Sequence, residues 1–579
     1  MLEEIVCKSI SKINQNLNII TMEKIVVTGT TYWLPASNDD VIALVNEASQ
    51  NNEIICLRGS GHSFPLIGDL EAEKKSSTGK TYKYVMLSKM YAMEMLDENT
   101  VKVQAGCHLG VDPFDPTGIS TVENSLCYQL DNLGTATNNP SLNRALPDLG
   151  GITHQTIGGF MATGSSGGST QYSFEDAVIS VDVVTCQAGQ GAAITTFTRP
   201  ADGNPEDPFF AVGVASMGLF GVVVSATFRC IPQFYIAGSE TIDYTDKCST
   251  IDLFGTSPNL PNIQTFFQQT EYTRLMWWPQ ENHVPGTDLS RMVTWQAKRT
   301  DKAGAEAWAK HAYDLMGETP PPAADGLKPY EEVPYILGSP VPANIAAGLL
   351  YTAIGQWPGW LQKLLADKPL EYQFIKALVE SNYATKIFPG IMDIFVTADT
   401  PQNKNKGPQL FSDRWYTGLP MDNQMSDKLM PVWFTELWID IDQSQQVMDT
   451  LKKYYDAQPI TIDLSFSCEV YAARTNDFWL SPSYQQDVIR IDVFWFGYNQ
   501  GDPATFYQSF WDLLAPFNYR PHWGKYIPDV VNGTSGVTYI SDRYPKWNDW
   551  MALRDKMDPQ QLFVNDYWRG KLGIPAAKA

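Results

Sequence analysis

Apolar and polar positions change period along this chain, and each change marks an element. Lys24–Gly29 reads as a short strand. Ser37-Asn38-Asp39-Asp40 then offers a capping box, and Val41, Ile42, Leu44, Val45 and Ala48 follow at helical spacing until the polar Gln50-Asn51-Asn52. Glu53–Leu57 regains strand character and runs into Arg58-Gly59-Ser60-Gly61-His62-Ser63-Phe64. Met93–Leu96 and Val101–Ala105 flank Asp97-Glu98-Asn99 as a hairpin, and Val178–Thr185 is a further strand. Pro208-Phe209-Phe210 precedes Ser216-Met217-Gly218-Leu219-Phe220-Gly221-Val222-Val223-Val224, a glycine turn entering a β-branched strand. From about Gln233 the texture becomes aromatic-rich with period-two alternation, in Met292–Ala297, Val432–Ile439 and Ile489–Phe496. Such segments predict a large antiparallel sheet with one buried face.

Two interruptions stand out. Pro320-Pro321-Pro322-Ala323-Ala324-Asp325-Gly326 reads as a surface loop or lid. Asn344–Leu365 reads as a helical excursion, apolar first and amphipathic later: a core or cap helix, with an entrance lid or membrane-touching element as the alternatives. No internal repeat is present. A chain of 579 residues is too long for one core, so two domains are expected, one of them interrupted by the other. The first part of the leading domain closes near Arg229–Pro232.

Composition narrows the partners. Hydrophobic content of 44% and charge of 18% are those of an ordinary globular protein. A net charge of −22 opposes binding to nucleic acid or to an anionic membrane. The eight cysteines contain no C-x-x-C pair, so reduced, mostly buried thiols are expected, not a disulfide framework or a zinc site. Met1–Thr21 lacks a basic region followed by an uninterrupted apolar one, and no run reaches the roughly 20 apolar residues of a membrane span. The expectations are a cytoplasmic protein with no metal and no firm membrane signal.

Chemistry gathers at two glycine-rich segments. In Arg58–Phe64 two glycines around a serine let the backbone turn tightly and aim several N–H groups into one concavity, which suits a pyrophosphate. Gly59-x-Gly61 lacks the third glycine and the later acidic residue of a Rossmann fingerprint. His62, at the end of the turn, is hard to explain by packing. The second segment is Gln155-Thr156-Ile157-Gly158-Gly159-Phe160-Met161-Ala162-Thr163-Gly164. Together they resemble the FAD-binding domain of the vanillyl-alcohol oxidase superfamily.

That resemblance implies an α+β fold. Its parts are a PCMH-type FAD-binding domain of two subdomains (1–232), a substrate-binding cap with a large antiparallel sheet flanked by helices (233–505), and a C-terminal segment returning to the active-site region (506–579). It implies FAD, attached covalently through His62 and cradled by Arg58, Gly59, Ser60, Gly61, Ser63, Gly158, Gly159, Thr163, Gly164, Ser165, Gly221, Val222, Lys525 and Asn565. A second attachment would need a cysteine shortly before Gly158; Ile152-Thr153-His154-Gln155-Thr156 supplies none.

The tail segment Arg520-Pro521-His522-Trp523-Gly524-Lys525 is similar to that of aldonolactone and alditol oxidases and of covalent-flavin (type II) cholesterol oxidases. There the lysine lies beside the flavin and substrate, where a cation stabilises negative charge arriving with the hydride. Cys468-Glu469-Val470-Tyr471 and Asn476–Asp487 resemble a segment of gulonolactone oxidases, which makes Glu469 the proton acceptor from an alcohol. Three departures accompany the likeness. Tyr471 stands where those enzymes have an arginine, with Arg490 as a substitute cation or a plain structural ion pair. Gly164-Ser165-Ser166-Gly167-Gly168 lacks a histidine found in relatives, and Asp112–Leu149 has no counterpart.

Lys525 and Glu469 are therefore the catalytic candidates, with Tyr471, Arg490 and His522 on the substrate side. The implied reaction is oxidation of C–OH to a carbonyl, with dioxygen or another electron acceptor downstream and hydrogen peroxide as the by-product of the oxygen route. A sugar lactone or polyol is the expected small-molecule substrate. A bulky apolar alcohol such as a sterol, an amine or oxidative-cyclisation substrate, and a non-catalytic flavoprotein are the alternatives.

Overall fold

The opening strand–helix–strand forms where the alternation places it. In the computed structural model, Ser37 Oγ accepts the Asp40 N–H at 3.2 Å, and the Asp40 carboxylate accepts the Ala36 N–H at 2.9 Å. This start to the helix Asn38–Asn51 satisfies donors that have no partner inside it. Asn52, in the left-handed region, closes it. Residues 22–66, 75–187, 191–279, 290–317, 319–320, 325–331, 335–336, 339–340, 408–423, 432–457, 468–496 and 501–577 are described. The expected helix over Asn344–Leu365, most of the proline loop and the leading segment Met1–Thr21 lie outside them.

Two sheets enclose that first helix. Glu23–Val27, Thr30–Leu34, Thr81–Met86 and Glu53–Arg58 lie side by side in that order, the first pair antiparallel and the others parallel. The second sheet runs Met93–Asp97, Thr100–Gln104, Val222–Arg229, Val178–Gln187, Gly191–Thr198 and is antiparallel throughout. Val41, Leu44, Val45 and Ala48 of the helix pack with Ile55 and Val85 of one sheet and Val184, Val222 and Val224 of the other.

The third sheet has eight strands in the order Gln409–Arg414, Tyr235–Tyr244, Arg291–Thr300, Tyr272–Trp278, Cys468–Ala473, Val488–Phe496, Val432–Asp440, Arg520–Pro521, all antiparallel. Helices Ser444–Ala457 and Pro503–Leu514 cover its apolar face, where Trp511 Nε1 donates to Thr435 Oγ1 at 2.9 Å. One buried face was the expectation; both are buried. Glu436, Glu469, Tyr471, Arg490 and Asp492 on the second face are all under 10% exposed, because the glycine segment after Thr163 lies across them.

Long-range ties bind these layers. Asp131, fully buried at the end of the helix Leu126–Asp131, accepts from Arg414 at 2.7 Å, Trp415 Nε1 at 2.9 Å and Gln233 Nε2 at 2.6 Å. The 112–149 stretch is thus tied through Asp131 to the edge of the large sheet. The tail returns to the first sheet, where Ile55 N–H donates to Leu562 O at 2.7 Å and Ser49 Oγ to Gln560 at 2.7 Å. All seven described cysteines are buried and outside any disulfide. Among the described residues no helix is long and apolar enough to cross a membrane.

Candidate active site

Two adjoining cavities lie between the glycine loops and the large sheet. The first is walled by Arg58, Gly59, Ser60, Gly61, His62 and Ser63, by Gly158, Gly159, Thr163 and Ser165, and by His522 and Lys525. The second is walled by Glu469, Tyr471, Arg490, Glu436, Asp492 and Asp422. Gly61, His62, Gln155, Ser165, His522 and Lys525 line both. The expected cofactor side and substrate side therefore share one wall.

The glycine loop follows directly from the strand Glu53–Arg58. Gly61 has φ +87, and a Cβ there would lie 2.9 Å from Arg58 Nη2; a Cβ on Gly59 would lie 2.6 Å from Thr156 Oγ1. Ser60 Oγ donates to His154 O at 2.6 Å, tying this loop to the second glycine segment. There Thr156 Oγ1 accepts Gly159 N–H at 3.2 Å to start the helix Ile157–Thr163, and Gly158 N–H donates to Ala105 O at 2.9 Å. The buried His154 Nδ1 and Gln155 Oε1 find no partner among the described residues. A narrow glycine-walled cleft lined by Gln155, whose buried Oε1 is without a partner among the described residues, fits a flavin with its pyrophosphate, which would be held by Arg58–Ser63, Gly158, Gly159, Thr163 and Ser165.

His62 borders the cavities, and its ring lies 5.6 Å from the His154 ring. Burial, then the fields of His154 and Lys525, push its pKa down to about 3, so the imidazole is neutral. His522 accepts the Gly524 N–H at Nδ1 at 3.1 Å, which leaves the proton on Nε2, 3.3 Å from Ser165 Oγ. Burial lowers its pKa to about 4. His522 is therefore a neutral hydrogen-bond donor. Lys525 Nζ sits 3.7 Å over the Phe434 ring, a cation held at the junction of the two cavities.

On the large sheet, register makes the site. Met276 pairs with Glu469, Glu469 with Asp492, and Asp492 with Glu436, one row across four strands. Two positions along, Tyr471 pairs with Arg490 and Arg490 with Trp438. Arg490 donates to Glu436 at 2.8 Å and to Ser166 O and Gly167 O at 3.1 and 3.0 Å. It is a structural ion pair within the cavity wall. A second cation beside Glu469 is Arg274, with Nη1 3.7 Å from Glu469 Oε1 and ion-paired to Asp422.

The three acids of the row differ in charge. Burial raises Glu436, but Arg490, His522 and Lys525 override it and hold the carboxylate below its usual range. Asp492 is pushed well up by burial and the Glu436 charge. Burial and then Asp422 push Glu469 up to about 8, against the pull of Arg274. A neutral acid beside an ionised one, both facing a cavity, is how acid–base roles are separated.

Four expected cofactor contacts line neither cavity. Gly164, at φ +68, ends the helix Ile157–Thr163 against Ala215. Gly221, at φ +149, is needed because a Cβ would lie 2.4 Å from Val184 O, and Val222 is core. Asn565 accepts the Trp568 N–H at 2.9 Å as a helix cap; Trp568 lines the first cavity instead. Sequence reading also passed over Glu436, Asp492, Asp422, Gln155 and Arg274. Glu436 and Asp492 carried a signal, as charges inside alternating strands; Asp422 and Arg274 carried none.

Comparison with known proteins agrees with this geometry. A family profile described as D-arabinono-1,4-lactone oxidase matches residues 360–571. D-arabinono-1,4-lactone oxidase of Kluyveromyces lactis is 24% identical over 573 residues, covering 94% of each chain. L-gulono-1,4-lactone dehydrogenase of Mycobacterium tuberculosis is 28% identical over 129 residues, 22% of this chain and only 27% of its own length. The crystal structure of cholesterol oxidase from B. sterolicum has the same fold, with a TM-score of 0.60 at 14% identity and 94% coverage of both chains. With the two glycine loops, the eight-stranded sheet and the returning tail all in place, the chain is similar in sequence to sugar-lactone oxidases and similar in fold to a cholesterol oxidase.

Proposed function

We propose that the protein is an FAD-dependent oxidase that converts a secondary or primary C–OH of a sugar lactone or polyol-like alcohol to a carbonyl. The observation carrying this is the shared wall: Gly61, His62, Gln155, Ser165, His522 and Lys525 separate a glycine-lined cofactor cleft from a cavity floored by Glu469, Asp492 and Glu436. When bound, FAD supplies the two-electron acceptor for the carbinol hydride. Glu469 takes the hydroxyl proton as the C–H electron pair departs, so proton and hydride leave the substrate by different routes. Lys525 offsets the negative charge that accumulates at the shared wall, and His522 donates Nε2–H there. His62, neutral and at the cleft's end, is the attachment point for covalent flavin. Dioxygen, reduced to hydrogen peroxide, serves as final acceptor.

The lactone reading draws on the names of the matched relatives and on the polar floor. The opposite wall is apolar, with Phe64 stacked on Trp433 at 4.7 Å beside Val432 and Phe434, so a bulkier alcohol is the second reading. Anaerobic mixing with D-arabinono-1,4-lactone, L-gulono-1,4-lactone, an alditol, a sterol and a primary amine tests both. Bleaching of the flavin band by a lactone or alditol supports the proposal, bleaching by the sterol alone transfers it to the second reading, and no bleaching by any alcohol sinks both.

A further inference from the structure

Arg274 lines neither cavity, yet its guanidinium reaches three carboxylates and a tyrosine hydroxyl beside the site. It is 3% exposed on the strand Tyr272–Trp278, two positions from Met276, the strand neighbour of Glu469. Its Nη1 faces Asp422 and Glu469, the latter at 3.7 Å. Its Nη2 lies 3.4 Å from Glu240 Oε1 and 3.5 Å from Tyr330 Oη, and the Tyr330 hydroxyl donates to Glu240 at 3.1 Å. Burying one arginine among three carboxylates is costly unless geometry holds every member.

The front of the fork is fastened as firmly as the back. Asp422 N–H donates to Gly151 O at 2.9 Å, and the next residue, Asn423, accepts Thr153 N–H at 2.8 Å and donates to Thr153 Oγ1 at 2.8 Å. Residues 151–153 precede His154 and Gln155 on the cofactor side. Arg274 therefore joins the carboxylate row of the large sheet to the second glycine segment.

We propose that Arg274 is a positioning residue for the reaction: clamped from behind by Glu240 and Tyr330, it bridges Glu469 and Asp422 so that both carboxylates meet the substrate as one fixed pair. This rests on the reading of Glu469 as proton acceptor. The groups facing Glu469 are Arg274 from one neighbouring strand, Arg490 and Asp492 from the other, Tyr471 on its own strand, and Asp422 from the 421–423 segment. Beyond Asp492 stand Glu436 and Lys525. Of these, Arg274 and Asp422 pull the Glu469 proton in opposite senses.

The test reads the Glu469 titration without substrate. Urea unfolding of the holoenzyme and of Glu469→Gln is compared across pH, and the difference gives the midpoint. The comparison is repeated in Arg274→Gln, Arg274→Lys and Asp422→Asn backgrounds. Losing a cation within reach raises a carboxyl by about one pH unit or more, so Arg274→Gln moves the midpoint up, Asp422→Asn moves it down, and Arg274→Lys restores most of the shift. The acid limb of the anaerobic flavin-reduction rate with D-arabinono-1,4-lactone moves in the same directions. If Arg274→Gln fails to fold, Arg274→Met takes its place, with the same upward shift expected. A midpoint unmoved in all backgrounds that fold overturns the inference. Full activity in Glu469→Gln, by contrast, overturns the proton-acceptor reading, whatever the Arg274 variants do.

Discussion

Glu469 combines two properties that conflict outside an active site: full burial and a carboxyl group aimed at a cavity. Burial and then the Asp422 charge push its carboxyl from the ordinary 4.5 up to about 8, so the folded protein holds a proton that the unfolded chain has lost across that window. The stability this group contributes is complete below pH 4.5 and is lost as pH rises through about 8. Glu469→Gln should therefore gain stability relative to wild type between pH 5 and pH 9, read by urea midpoints at the two ends. Turnover runs the other way. The unprotonated form accepts the substrate proton, so the reduction rate rises through about pH 8, and Glu469→Gln loses ~10²–10⁴-fold in rate together with the limb. His62→Ala should convert acid-stable yellow colour into colour released on precipitation, with FAD still bound before acid; colour that stays in the pellet of the variant would place the attachment elsewhere. Both residues were legible in the sequence, His62 because a histidine at the end of a phosphate-type turn has no packing task, and Glu469 by likeness to related segments. Arg274 was not legible: its partners Glu240, Asp422 and Glu469 are brought to it only by sheet pairing and a distant loop.

Among the elements, strands were the easiest to read and the contacts between them the hardest. Period-two alternation placed Val432–Asp440 and Val488–Phe496 within a residue or so at each end, because a sheet buried beneath two helices demands Ile and Val at every second position. The same alternation puts Glu436 and Asp492 on the opposite face, where solvent would ordinarily be expected. What buries them is the glycine segment. Gly168 O accepts both the N–H and the Oγ1 of Thr273, and a Cβ on Gly168 would lie 2.1 Å from Thr273 O. Gly168→Ala should therefore lift the segment off the sheet, costing about 1–3 kcal/mol and raising KM before kcat. Unchanged stability and kinetics would mean that the approach is not needed. At Gly221 the glycine is likewise required by a strand contact, since a Cβ there would lie 2.4 Å from Val184 O.

For the whole molecule, the stretch Asp112–Leu149 had no reading in the sequence, since its Asp131 meets Arg414 and Trp415 nearly three hundred positions later. Asp131 holds Arg414, Trp415 and Gln233 at once. Asp131→Ala strands a buried indole N–H and a half-buried guanidinium, and should cost about 3 kcal/mol in denaturant unfolding while leaving the flavin spectrum intact. A loss under a tenth of that would show the two parts docked by apolar contact alone. The carboxylate row Glu469–Asp492–Glu436 has a consequence of this kind for assembly. Each strand that contributes to it must be set to the correct residue, because a slip by one position would turn its acid into the apolar layer beneath the helices and a neighbour such as Leu437, Val470 or Ile491 toward the glycines. Residues that reduce stability in the finished fold thereby act as a proofreading key while it forms: wrong registers are penalised by buried unpaired charge, so the chemistry of the site and the fidelity of the sheet are selected together.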